Sequence, residues 1–241
     1  FVLHFLIASA LFYLGIRNKD KGGLLNNPGL YFGASWGAIS SVFGHLIGIF
    51  SNFLPAILNS YLSIYEFVEF VKYSAELFTK YVNAVNPNRL LGNASTRCMY
   101  GFPAQRQTNR VFVSQRNIDK KLIQNEGFVE VNPDNLDCVE YYGIKKPSVD
   151  TPIQLKLFDY YKNINYIVHG HVYVGGGKIT QSKVPCGYIE EFGEIVDLYP
   201  SPDETTILVN LRGHGCLIMT ESVGQLCDHG QNYISRQFPE Y

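Results

Sequence analysis

Charge is spread very unevenly along this chain. Residues 1–65 contain Arg17, Lys19, Asp20 and Lys21 and no other acidic or basic side chain, although the whole chain of 241 residues holds 20 basic and 21 acidic ones. A stretch so poor in charge cannot supply the solvated surface of an ordinary domain. The composition therefore breaks near residue 65, and we expect an apolar segment over 1–63 followed by a folded unit over 64–241.

The first part reads as an apolar run from Phe1 to Ile16, a short charged link, and an uncharged run from Gly22 to Tyr65. Leu30–Asn52 is long enough to cross a bilayer, which takes about 20 apolar residues. The spacings Gly33/Gly37 and Gly44/Gly48 suit close helix approach in lipid. A Gly-rich buried segment is the alternative. Arg17, Lys19 and Lys21 favour the cytoplasmic side, so a single crossing by 30–52 would place everything after residue 65 outside the cytoplasm. A run that doubles back near Pro55, or that does not span, removes that conflict. Phe1 in place of Met fits a fragment or a processed chain.

Net charge is −1, which argues against a nucleic-acid partner bound by bulk electrostatics. Five cysteines, at 98, 138, 186, 216 and 227, form no Cys-x-x-Cys pair and cannot all be paired within the chain. A reducing compartment, and hence a cytoplasmic protein, is the simpler expectation.

Beyond residue 64 the pattern becomes mixed. Glu66, Glu69, Lys72, Glu76 and Lys80, interleaved with Phe67, Phe70, Val71, Leu77 and Phe78, predict an amphipathic helix over about 64–84, stopped by Asn86 and Pro87. Strands are expected near 110–114 and 127–132, over 164–168 and over 207–211, with a short helix near 117–124 and a longer one over 151–162. Ile189, Phe192 and Ile195 mark another amphipathic helix, with Glu190 and Glu191 assigned to its solvated face. Such a mixture implies a layered α/β domain.

Three of the six histidines stand where chemistry can use them. His169 and His171 follow the apolar strand 164–168, and residues two apart on a strand share a face. His214 lies between Gly213 and Gly215, after a second apolar strand, and glycine permits close approach of a ligand. Three imidazoles with an open fourth position describe a catalytic zinc site better than a structural one. Hydrogen-bonded histidines at strand ends are the plainer alternative.

Three further segments surround these residues: Gly92-Asn93-Ala94-Ser95-Thr96-Arg97, Lys146-Pro147-Ser148-Val149-Asp150-Thr151-Pro152, and Asn210-Leu211-Arg212-Gly213-His214-Gly215. In this order, with His169 and His171 between the last two, they resemble the class II aldolase and adducin head-domain family over about 64–241. The resemblance implies a three-layer α/β/α domain with a central, mostly antiparallel sheet. It also implies a divalent metal, most often zinc, held by His169, His171 and His214. The reaction would be that of an aldolase or epimerase acting on a small hydroxy-carbonyl compound or sugar phosphate through a metal-stabilised enediolate. A homo-oligomer is implied as well.

Residue by residue, Asp150 stands where the family has a Glu that serves as a ligand or proton shuttle. Its carboxylate keeps acid–base work available but is one methylene shorter. The residue-level alternative is a helix N-cap before Thr151 and Pro152. Gly92, Asn93, Ser95 and Ser148 match the turns that receive substrate and phosphate. Val149 replaces a Ser, and Val113-Ser114-Gln115-Arg116 lacks the family's Gly. The connection from His171 to His214 is also shorter than in the family's aldolases. Cys186 reads as a reactive thiol or extra ligand, or more simply as a small residue ending a loop. The competing function is a non-catalytic adducin-like head used for assembly or membrane contacts. Such heads lack the three histidines that this chain retains.

Overall fold

The computed structural model describes residues 65–82, 90–100, 108–123, 127–230 and 233–234. The apolar runs of 1–63 and the stop at Asn86 and Pro87 lie outside these residues. Among the described residues no helix is long and apolar enough to cross a membrane.

Helix α1 occupies 65–77 and widens into a π-helical turn at Phe78–Val82. The chain then forms β1 (Asn93–Tyr100), β2 (Thr108–Ser114), a 3₁₀ turn (Lys120–Leu122) and β3 (Phe128–Val131). Next come α2 (Thr151–Tyr160), β4 (Tyr166–Gly170), β5 (Tyr173–Val174), β6 (Lys178–Ile179) and α3 (Glu190–Leu198). β7 (Thr206–Leu211), β8 (Gly215–Thr220), α4 (Val223–Gly230) and β9 (Tyr233–Ile234) complete the order. Seven strands form one sheet in the order β3-β2-β1-β4-β8-β7-β6. Every pairing in it is antiparallel except β6 with β7. β5 and β9 pair separately.

Helices cover both faces, because alternate residues on each strand are apolar on both sides. On one face Ala94, Phe128, Tyr166, Val168, Cys216 and Ile218 pack against α1 and α4. Phe70 stacks on Tyr166 at 5.2 Å between ring centroids and on Phe128 at 5.8 Å. On the other face Val111, Val113, Ile167, Val209, Leu217 and Met219 pack against α2 and α3. The result is the expected three-layer α/β/α domain with a mostly antiparallel sheet.

Some expectations shift. The 117–124 helix shrinks to a single 3₁₀ turn, opened by the Asp119 side chain accepting from Lys121 N. The Gly92–Arg97 motif, read as a turn, is mostly strand: only Gly92 turns, with φ +75°, before β1 begins at Asn93. Gly215–Thr220, not anticipated, forms the strand beside β4. Its unbroken burial lacks the polar alternation that marks a half-exposed strand.

Arg97, within β1, clamps the end of α2. Its guanidinium donates to the carbonyls of Phe158 (2.8 Å), Tyr161 (3.4 Å), Lys162 and Ile164 (2.7 Å). These include carbonyls that a helix C-terminus leaves without partners, and a cation suits that end of the helix dipole. The clamp fixes where α2 stops and where the strand carrying His169 begins.

Candidate metal centre

β4 ends between His169, its penultimate residue, and His171, which lies just beyond it. β8 runs antiparallel to β4 and pairs Gly170 with Cys216. A Cβ on Gly215 would fall 2.2 Å from the Gly170 carbonyl oxygen, so only glycine lets the β7–β8 turn come this close. That turn, with Gly213 at φ +67°, delivers His214 to the end of β4. On the opposite flank a Cβ on Gly92 would lie 2.4 Å from the His169 carbonyl oxygen.

The three imidazoles converge. Ring centroids of His169, His171 and His214 lie 4.8–5.0 Å apart, and one nitrogen from each falls within 4.8 Å of the others. His169 Nδ1 is 2.9 Å from the Cys216 carbonyl oxygen. A carbonyl can only accept, so Nδ1 carries the proton and Nε2 the lone pair. His214 Nδ1 is 3.0 Å from Glu191 Oε2, and an ionised Glu191 sets the same tautomer. Both Nε2 atoms are buried and have no hydrogen-bond partner.

Leaving a buried polar atom unpaired costs about 1–3 kcal/mol. Two such atoms facing one point, each with its Nδ1 held by a carbonyl or carboxylate, match how metal-bound imidazoles are oriented. Burial, reinforced by the neighbouring His214, pushes His169 down to about 3, so it stays neutral and able to ligate at neutral pH. Among the described residues no carboxylate or thiol joins the three-histidine cluster.

Glu191 requires a correction. It does not lie on the solvated face of α3: it is only 3% exposed and faces His214, whereas Glu190 is exposed. Burial pushes its carboxyl up, against the opposing pull of His214. The signal for its burial is its spacing of four from Ile195, which is fully buried and belongs to the same helix face.

Asp150 stands at the N-cap position of α2, but its side chain makes no capping hydrogen bond. It is buried, at 7% exposure, and turns inward. Oδ2 accepts from Asn93 Nδ2 at 2.5 Å and Oδ1 from the Cys186 thiol at 3.2 Å. Asn93 Oδ1 in turn accepts from Gln154 Nε2. Asn93 is also the β1 residue directly opposite His169. Asp150 is thus linked to the histidine cluster through one hydrogen bond and one strand pairing.

The remaining expected residues are placed around this chain of contacts. Gly92 presses on His169. Ser95 is fully buried two residues beyond Asn93, on the same face of β1, and its hydroxyl has no partner. Ser148 accepts from Asp150 N at 3.4 Å through its hydroxyl, while Val149 beside it is exposed. Burial and the adjacent Asp150 push the Cys186 thiol up to about 12. It is therefore a neutral hydrogen-bond donor rather than a thiolate.

The fold is of the class II aldolase type. Residues 85–175 match the family model of the Class II Aldolase and Adducin N-terminal domain, which includes His169 and His171 and stops short of His214. Among solved structures, L-fuculose 1-phosphate aldolase superposes with a TM-score of 0.51 at 15% identity, over 68% of this chain and 80% of its own. The N-terminal class II aldolase domain of a conserved protein from Thermoplasma acidophilum gives 0.51 at 16% identity, over 69% of this chain and 89% of its own. At these identities the likeness shows the fold. No curated protein matches the chain by sequence at a significant level.

Proposed function

We propose that this chain is a metal-dependent enzyme of the aldolase or epimerase type, acting on a small hydroxy-carbonyl compound or sugar phosphate. The observation that carries this reading is the pair of buried, unpartnered Nε2 lone pairs on His169 and His214, aimed at the point that His171 also reaches. These three residues would hold a divalent cation, and three nitrogen donors with an open position suit zinc best. When bound, such a cation supplies Lewis acidity that lowers the cost of negative charge on a substrate carbonyl oxygen.

The chain's own groups do the rest. The Cys216 carbonyl and Glu191 hold two of the imidazoles in the ligating tautomer. Asp150 takes a proton from the substrate and returns it, because its carboxylate keeps lone pairs beyond the two engaged by Asn93 and Cys186. Gln154, through Asn93, keeps that carboxylate from rotating. Gly92 and Ser148 form the receiving turns, with Asn93 and Ser95 as the buried support behind them. The reading takes 64–241 as the working unit in a cytoplasmic homo-oligomer, on the strength of the cysteine usage and the family resemblance.

Elemental analysis of the purified chain, with turnover assays over ketoses and ketose phosphates, tests this. The expected result is a bound divalent ion that His169→Ala removes, with turnover lost in step. Absence of any ion, with no turnover, overturns the reading in favour of a non-catalytic adducin-like head.

A further inference from the structure

Pro185, Cys186, Gly187 and Tyr188 form a tight turn just before α3. Tyr188 N donates to the Pro185 carbonyl at 3.2 Å, and Gly187, third in the turn, has φ +79°. A type II turn needs a positive φ at that place, which favours glycine. The turn lies against the start of α2. A Cβ on Gly187 would fall 3.5 Å from the Val149 carbonyl oxygen and 3.9 Å from Asp150 Oδ1. Cys186 is an exposed residue, yet its thiol donates to the buried Asp150 carboxylate at 3.2 Å. Five residues on, Glu191 meets His214. One short stretch of chain therefore reaches both the carboxylate and the histidine cluster.

Asp150 has a rival use. Aspartate is favoured at a helix N-cap, where its carboxylate accepts from N–H groups of the first turn. The second residue of α2 is Pro152, which has no N–H, so a capping carboxylate would take the N–H of Ile153. Asp150 makes no capping bond. Its oxygens go instead to donors from two distant segments, Oδ2 to Asn93 in β1 and Oδ1 to Cys186. A carboxylate held by one oxygen can still swing about that bond, whereas one held by both cannot. Burial comes first, then the Asp150 charge and a smaller push from Glu191. Against the pull of Arg116 they raise the thiol to about 12. The sulfur therefore keeps its proton and goes on donating.

We propose that Cys186 is a positioning residue: its thiol draws the Asp150 carboxylate away from the N-terminus of α2 and, with Asn93, locks it in the orientation used for proton transfer. The part in proton transfer rests on the function proposed above. The hold on the carboxylate does not.

Two measurements on the full chain test this. The first is the rate of alkylation by iodoacetamide, located at each cysteine by mass spectrometry, with the exposed Cys138 as internal standard. Only the thiolate reacts, so Cys186 should react roughly ten-fold or more slowly than Cys138. Asp150→Asn removes the charge that keeps the proton on sulfur and should speed Cys186 by roughly ten-fold or more, with Cys138 unchanged. The second is exchange of the carbon-bound hydrogens of dihydroxyacetone, and of its phosphate, with heavy water. Cys186→Ala should lower kcat roughly ten- to hundred-fold, with KM and zinc content nearly unchanged. Cys186→Ser keeps an O–H donor and should recover most of the loss. Equal alkylation of Cys186 in wild type and Asp150→Asn, or full kcat in Cys186→Ala, overturns the proposal. Slow alkylation that Asp150→Asn relieves, in a chain that exchanges neither compound, would sink the enzyme reading and leave the hold on the carboxylate standing.

Discussion

The two faces of the central sheet are built from different material. Toward α1 and α4 Phe67, Phe70, Phe128 and Tyr166 interlock, and the polar side chains buried with them are small hydroxyls such as Ser74 and Thr96. Toward α2 and α3 the same strands bury Asn93, Ser95, Arg97 and His169 among Ile, Leu and Val side chains. The helices on that side answer with Gln154 and Glu191, and Asp150 stands at the start of α2. Burying polar groups is tolerated where each finds a partner. Among the described residues four buried atoms on this face have no partner, Ser95 Oγ, Gln154 Oε1 and the two Nε2 atoms, and the Nε2 pair converges with His171 on one point. One face supplies stability, and the other gives up some of it to hold a site.

Substitutions that touch one face and not the other separate these roles. The largest effect is expected from Phe70→Ala, which removes a fully buried ring from the apolar face and should cost about 3–5 kcal/mol by thermal or denaturant unfolding. Metal affinity of the folded fraction should stay unchanged; if it fell in proportion, the two faces would not be separable. Arg97→Ala comes next. It strips partners from several buried carbonyls at the end of α2, and a loss of about 3 kcal/mol is expected, read as a lowered unfolding midpoint. Because the clamp sets the start of β4, metal affinity should weaken with it.

The smallest effect on stability and the most specific on the centre is expected from Glu191→Ala. Zinc competition titration should show roughly ten- to hundred-fold weaker binding. Glu191→Gln, which can still accept from His214 Nδ1, should retain most of the affinity. Unchanged zinc binding in Glu191→Ala would mean that the buried carboxylate does not orient His214.

Much of the centre is legible in the order and spacing of residues. Strand periodicity puts His169 and His171 on one side of a chain end, and glycines on both sides of His214 signal a turn able to approach them. The Asp150-Thr151-Pro152 start of α2 is equally plain, although the carboxylate's inward turn is not. Capping a helix and turning inward to buried donors call for the same residue type in the same position, and only the placement of Asn93 and Cys186 separates them. The strand Gly215–Thr220 escapes a reading by periodicity because burial on both faces erases the alternation that reveals strands.

Sequence alone determined the amphipathic helices, the apolar strands that precede the histidines, the break in composition near residue 65 and the three histidines themselves, because those features are written in local composition and short spacings. Tertiary structure decided what those histidines lean on. Glu191 reaches His214 from α3, and the Cys216 carbonyl reaches His169 from the neighbouring strand. Each of these partners depends on how elements distant in sequence pack, and packing direction leaves no trace in a pattern a few residues long.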